Sequence, residues 1–246
     1  MNALLLKIRR GEGPVFGSLN KLAKAILTAN LPQPAVVKPI FRLLYNFHWG
    51  IWAVGWRIFT LFWTEPLFRA RCVSAGKALR MTSLPHVMGQ TQIYVGDNVF
   101  IAGKIGIMSG RILDEPKLVI GNNVQIGHLV MITVNKEIVI EDGVCIASET
   151  RIADTDGHPR NAEARANLLP PSEDEIKSVR ICRKAWIGTG ASIQKGVTIG
   201  EGAIIGSNSV VVTDVPAYSI AMGNPARVVM KDINVVKAPT ESVATR

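Results

Sequence analysis

Cysteine is scarce here: three in 246 residues. An odd, sparse set excludes a disulfide-stapled secreted scaffold and fits a reducing compartment. Acidic residues are nearly missing from positions 1–80, where twelve Lys and Arg stand against only Glu12 and Glu65; positions 81–246 hold sixteen against seventeen acids. The formal +9 of the chain therefore belongs to its first third. Aromatic residues are few and uneven, with ten of fifteen lying between Phe41 and Phe68. Long uncharged apolar runs are absent. Between Arg42 and Arg57 there are fourteen residues, Asn46 and His48 among them. As a helix these cover roughly 21 Å, short of a hydrocarbon core of roughly 30 Å. No Gly-x-Gly-x-x-Gly or other phosphate-cradling loop is found. Met1–Leu6 is brief and is followed, not preceded, by the basic run Lys7-Ile8-Arg9-Arg10, so no cleavable signal is read.

What the first third does contain is a pair of unusual helical patterns. Tyr45, Trp49, Trp52, Trp56, Phe59 and Trp63 recur at helical spacing along one face, and Leu43, Leu44, Phe47, Ile51, Val54, Ile58 and Leu61 make the other faces apolar as well. Such a helix is not at ease in water on any side. Upstream, Leu19, Leu22, Ala23, Ile26 and Leu27 form a stripe opposite Lys21 and Lys24, with Ser18 placed as an N-cap and Pro32 and Pro34 beyond the end. A basic amphipathic helix beside a short, tryptophan-rich one points to the surface of an anionic membrane. The alternative is that both helices pack on the rest of the protein or on a partner subunit. Nucleic acid fits less well, because the aromatics sit in a nearly continuous apolar run and are not interleaved with Lys and Arg.

From about residue 93 the period becomes six. Isoleucine or valine recurs at Val95, Ile101, Ile107; Ile120, Ile126, Ile132; Ile140, Ile146, Ile152; and Ile181, Ile187, Ile193, Ile199, Ile205, Val211. Four residues after each lies a second slot, small or β-branched in all but three cases: Arg111, Lys136 and Asp156, each of which ends a block. Glycine and asparagine between the slots suit tight turns. One buried aliphatic every six residues, three steps to a coil, predicts a parallel β-helix of about five coils. The expected organisation is a helical membrane-associating region over 1–80, the repeat domain over 81–232 and a flexible tail over 233–246.

The run Trp186-Ile187-Gly188-Thr189-Gly190-Ala191-Ser192-Ile193-Gln194-Lys195-Gly196-Val197-Thr198-Ile199-Gly200, continued by Asp214-Val215-Pro216 and Gly223-Asn224-Pro225-Ala226-Arg227-Val228, resembles the hexapeptide-repeat acyltransferases. It looks most like the maltose, galactoside and polysaccharide O-acetyltransferase branch. The resemblance implies a left-handed β-helix, a homotrimer, and acetyl-CoA or another acyl-CoA held in clefts between subunits, with no metal required. Gly188 and Thr189 would line the pantetheine arm, Ser207 and Asn208 its mid-section, and Asn224, Pro225 and Arg227 the adenosine end. Where the family has a Thr-Lys pair this chain has Val212-Thr213, so Lys195 or Lys231 would supply that charge.

Regular coils offer no reactive group, so chemistry is expected on the longest interruption, 153–180, which contains Asp154-Thr155-Asp156-Gly157-His158-Pro159-Arg160. Acyl transfer from a thioester to a hydroxyl needs a base, and histidine titrates near neutrality. His158 matches the family's catalytic histidine, and Asp154 or Asp156 would orient its ring unless a backbone carbonyl does so. His128 and Asn135 are acceptor-contact candidates; the family's acceptor-holding asparagine is not found at its usual place. With only His128 and His158 inside the repeat, the three-histidine zinc site of γ-class carbonic anhydrases is excluded. Cys145 and Cys182 read as core or turn residues.

These features predict an acyl-CoA-dependent O-acetyltransferase acting on a saccharide or glycolipid hydroxyl, attached through residues 1–75 to the inner face of the cell membrane. The alternatives are an N-acyltransferase on an amino sugar, and a non-catalytic trimeric scaffold.

Overall fold

The computed structural model describes residues 3–11, 13–30, 34–110 and 112–233. The tail expected over 233–246 lies outside them except for Ile233, whose N–H donates to the Tyr218 carbonyl. The chain divides into two units, 1–53 and 54–246, and the boundary falls within one helix.

The first unit is helical. Helix α1 spans Ala3–Arg10, α2 spans Pro14–Thr28, and α3 begins at Lys38 and ends in the second unit at Phe59. Helix α2 starts one turn earlier than the Ser18 cap implied. Proline stands in its first turn, where the missing N–H costs nothing, and Ser18 lies inside the helix with its hydroxyl donating to the Pro14 carbonyl. None of the described α2 residues is buried. The aromatic stripe of α3 forms as predicted: Tyr45 meets Trp49 edge-on at 6.2 Å and Trp49 meets Trp52 at 5.8 Å between ring centroids. Yet Phe41, Leu44, Phe47, Trp49 and Ile51 all remain exposed. No helix of the described residues is long and apolar enough to cross a membrane.

In the second unit, α3 passes through a π turn at Thr60–Thr64 into α4, Glu65–Arg71. Here burial begins. Phe68 is fully buried in the same apolar cluster as Leu79 and Met81, so α4 closes the end of the β-helix. Arg69 donates to the Ala75 carbonyl, and Arg71 donates to those of Thr91 and Gly89.

Three parallel sheets follow. The first face stacks Ser74–Ala75, Gln92–Val95, Lys117–Ile120, Glu137–Ile140, Val179–Ile181 and Thr198–Ile199. The second runs from Arg80–Met81 to Ile204–Ile205 and ends in an antiparallel hairpin, Ile220–Gly223 with Ala226–Met230. The third runs from His86–Met88 to Val210–Val211. The register pairs slot with slot: Ile101 with Ile126, Ile146 with Ile126, Ile187 with Ile146. The slot isoleucines are essentially inaccessible to solvent, which is why a single stride of six runs through the sequence.

The described residues form six coils, not about five. The additional coil comes first, and its slots hold Ala75, Met81 and Val87, which the isoleucine-and-valine pattern does not advertise.

Each corner of the coils carries a ladder in which a side chain of one coil accepts a backbone N–H from a neighbouring coil. After the first face, Asp97 accepts from Lys77, Asn122 from Asp97 and Asp142 from Asn122. After the second, Thr82 and His128 take the N–H groups of Gly103 and Lys104, and Ser148 takes that of His128. After the third, Ser109 accepts from Gln90, Asn135 from Gly110, and Asp154 from Asn135, Lys136 and Glu137 at the preceding corner.

Candidate active site

The stride breaks after Ile152, and residues 153–180 leave the third corner. This excursion contains helix α5, Ala162–Ala166, capped by the Asn161 side chain, and a single helical turn at Glu173–Glu175. It is closed at its root by Lys177, whose N–H donates to the Asp154 carbonyl. Glu175 ties its two limbs together, accepting from the N–H of Arg160 at 2.8 Å and of Ser172 at 3.1 Å. Ile176 is buried beneath. A loop pinned this way can hold a side chain in place without lying in the regular coil.

His158 sits exposed on this excursion and lines a cleft of about 510 Å³ with Thr133, Asn135, Thr155, Gly157, Met108, Ser109, Gly110 and Ile112. Leu168, Leu169, Pro170 and Pro171 complete the lining. Leu168 is 88% exposed in a left-handed conformation unusual for leucine. Among the described residues none holds the His158 ring by a hydrogen bond or ion pair. The lining mixes hydroxyl and amide groups with apolar side chains, which suits an amphipathic ligand.

Two expected partners of His158 are occupied elsewhere. Asp154 is fully buried, and its carboxylate accepts from the backbone N–H groups of Asn135, Lys136 and Glu137 at 2.7–3.0 Å. Burial pushes its carboxyl above the ordinary range, while those amides pull the other way. It is a corner cap, not an orienting group. Asp156 pairs with the Lys195 ammonium at 2.6 Å and lies 3.8 Å from Arg160. Lys195 is in turn 9% exposed and donates to the Glu175 carbonyl at 2.7 Å, so it fastens the excursion to the next coil. That engagement does not fit a free cation for a coenzyme phosphate.

The acceptor candidates separate. Asn135 lines the His158 cleft, although its Oδ1 also caps the Gly110 N–H. His128 does not line it. It belongs to the second corner, where its Nδ1 accepts from Lys104, and Gly103 must be glycine because a Cβ there would run into the imidazole. The sequence made His128 an acceptor-contact candidate; in the structure its ring is a rung of a ladder. Sequence reasoning missed Ser109, Met108, Ile112 and Leu168, which come together only through coil-to-coil register and the fold of the excursion.

Most of the coenzyme candidates also lie at the second corner. Gly188 and Thr189 stand directly below Ser207 and Asn208, the Asn208 N–H donating to the Thr189 carbonyl. Gly188 admits no Cβ, which would meet the Ile205 carbonyl at 2.6 Å, so the backbone at this edge is bare. Thr189, Ser207 and Asn208 are exposed. Asn224 and Pro225 form the tip of the terminal hairpin, and Arg227 donates to its neighbour's carbonyl, Ala226. One whole face, the third, separates this edge from His158 within a chain. Burial raises all three thiols, Cys72 to about 11 despite Arg71 and Arg69, so no cysteine is poised as a nucleophile.

Residues 178–213 match the family model described as bacterial transferase hexapeptide (six repeats). The protein named "Probable acetyltransferase Rv3034c" from Mycobacterium tuberculosis is 33% identical over 178 residues, 71% of this chain and 55% of that protein. Galactoside O-acetyltransferase of Escherichia coli is 35% identical over 120 residues, 46% of this chain and 56% of the enzyme. The chain carries the hexapeptide repeat of this transferase family. It spans about half the length of the curated relatives it matches. In fold, this hexapeptide-repeat chain is similar to AntD, an N-acyltransferase from Bacillus cereus solved with dTDP and 3-hydroxybutyryl-CoA. That likeness has a TM-score of 0.55 at 24% identity, over 68% of this chain and 87% of the other.

Proposed function

We propose that the protein is an acyl-CoA-dependent O-acyltransferase that moves an acetyl or similar short acyl group to a saccharide hydroxyl. The observation that carries this reading is the His158 cleft. A histidine whose ring no described residue engages stands on a braced loop, in a cleft lined by both polar and apolar side chains, in a hexapeptide-repeat fold. Relatives named as acetyltransferases, including a galactoside O-acetyltransferase, support the reaction class.

In the proposed step the acceptor hydroxyl gives its proton to His158 as its oxygen attacks the thioester carbonyl. A tetrahedral oxyanion forms, met by backbone N–H groups. The carbon–sulfur bond then breaks, and the imidazolium returns the proton to the departing thiolate, so no covalent enzyme intermediate is needed. Gly188, Thr189, Ser207, Asn208, Asn224, Pro225 and Arg227 are proposed to hold the coenzyme. Since the third face separates them from His158, a site containing both edges requires the neighbouring subunit of a homotrimer, built on the left-handed coil the family implies. The exposed apolar helices and the basic first third support a further part of the proposal, attachment to an anionic membrane surface at the inner face of the cell membrane. There the acceptor is a lipid-linked saccharide or polysaccharide precursor.

The test is free-thiol release from acetyl-CoA across a panel of sugars, amino sugars and lipid-linked saccharides. His158→Ala should lower the rate by about 10²–10⁴-fold with no change in melting temperature. Full activity in that variant contradicts the mechanism, and transfer to amines alone replaces O- by N-acylation.

A further inference from the structure

The His158 cleft does not end at the excursion. A second cleft of about 580 Å³ adjoins it along the same edge, lined by Met88, Gly89, Gln90, Leu113 and Asp114 and sharing Ser109 and Gly110 with the first. The continuity is built into the sheet. Met88 is paired across the strands with Met108, Met108 with Thr133, and Thr133 with Ala153, just before the excursion. Met88 lines the second cleft, and Met108 and Thr133 line the first. Three strand spacings separate Met88 from Ala153, about 14 Å, so the combined groove is too long for a single sugar ring and suits a chain of them.

Its lining chemistry narrows the ligand. Among the described residues no Lys or Arg lines either cleft, and the far end carries the Asp114 carboxylate. At that end the Asp114 carboxylate would repel a phosphate or carboxylate ligand. Gln90, Ser109 and Asp114 offer amide, hydroxyl and carboxylate groups to hydroxyls, while Met88 and Leu113 offer apolar surface to the C–H face of a ring.

We infer that residues Met88, Gln90, Leu113 and Asp114 form a distal acceptor subsite. It holds the uncharged sugar units that follow the one presented to His158, so the enzyme prefers an oligosaccharide chain to a monosaccharide and keeps any phosphate of a carrier outside the groove. This rests on the acyl-transfer reading and extends it. The groove runs from coil four toward coil one, away from the coenzyme positions proposed in the last coils.

The experiment uses the full chain on an array of immobilised glycans. The array holds uncharged homo-oligosaccharides from mono- to tetrasaccharide, amino-sugar series and phosphorylated counterparts. The wild-type protein should bind its preferred series about tenfold more tightly as a trisaccharide than as a monosaccharide. Gln90→Ala/Asp114→Ala, both exposed positions, should lose that advantage, whereas His158→Ala should keep it while losing thiol release. Equal binding of mono- and trisaccharide, an unchanged length preference in the double variant, selection of phosphorylated glycans, or an array without binding would each overturn the subsite. Loss of length preference in the double variant alongside full activity in His158→Ala would instead overturn the catalytic reading and leave the subsite standing.

Discussion

The coils and the helices before them treat apolar residues in opposite ways. Between Ser74 and Val211 nearly every slot aliphatic is sealed inside, one every six residues. Between Pro14 and Trp63 leucines, isoleucines and tryptophans stand in solvent on every side of α2 and α3. The same composition is thus satisfied in one region by its own chain and left unsatisfied in the other. What a region cannot bury by itself points to a surface outside it, and the excess of basic charge in that region says of which sign. The transition falls in the π turn and α4, where Thr60, Thr64, Glu65 and Phe68 are the first buried side chains and Phe68 enters the β-helix core.

The contrast can be broken most forcefully in the core. Ile138→Ala, at a site with no exposure, should cost about 4 kcal/mol and lower the melting temperature by roughly 10 °C. Ile51→Ala in the exposed helix should stay within about 0.5 kcal/mol of wild type in detergent-free buffer. Similar losses at the two sites in calorimetry would show that the helix is buried after all.

Next comes the corner that the excursion leaves. Asp154→Ala strips the acceptor from three backbone N–H groups in a buried turn and should cost roughly 3 kcal/mol. If Asp154 instead orients His158, thiol release will fall far more than stability does, and the ratio of the two losses decides.

A smaller effect concerns the thiols. With its pKa raised to about 11 by burial, Cys72 holds little thiolate at neutral pH. Iodoacetamide labelling, read by mass spectrometry, should be slow at pH 7 and accelerate only as the pH approaches that value. Prompt labelling at pH 7 would mean that α4 does not stay docked on the first coil.

Much of this architecture is written in single residues. The stride from Val95 to Val211 makes five coils readable because one hydrophobic type fills one kind of slot. The first coil escapes because Ala75, Met81 and Val87 fill the same slots with other residues. His158 is visible because it interrupts a regular pattern. Its surroundings are not, since Met108, Thr133 and Leu168 are brought together by register across coils and by the fold of a loop, neither of which has a local signal. Asp154 and His128 show the opposite error. Polar residues at the corners look chemical in sequence, yet the corners of a β-helix need acceptors for their own N–H groups.

The proposed division between a catalytic coil and a membrane-binding helical segment has one direct measurement. Full-length protein and a chain beginning at residue 54, which keeps Phe68 in the core, are floated with vesicles containing anionic lipid, and acetyl-CoA-dependent thiol release is assayed in every fraction. The full chain should float with its activity and stay behind when salt screens the vesicles, while the shortened chain should remain at the bottom and still release thiol. Equal flotation of the two chains would contradict the account.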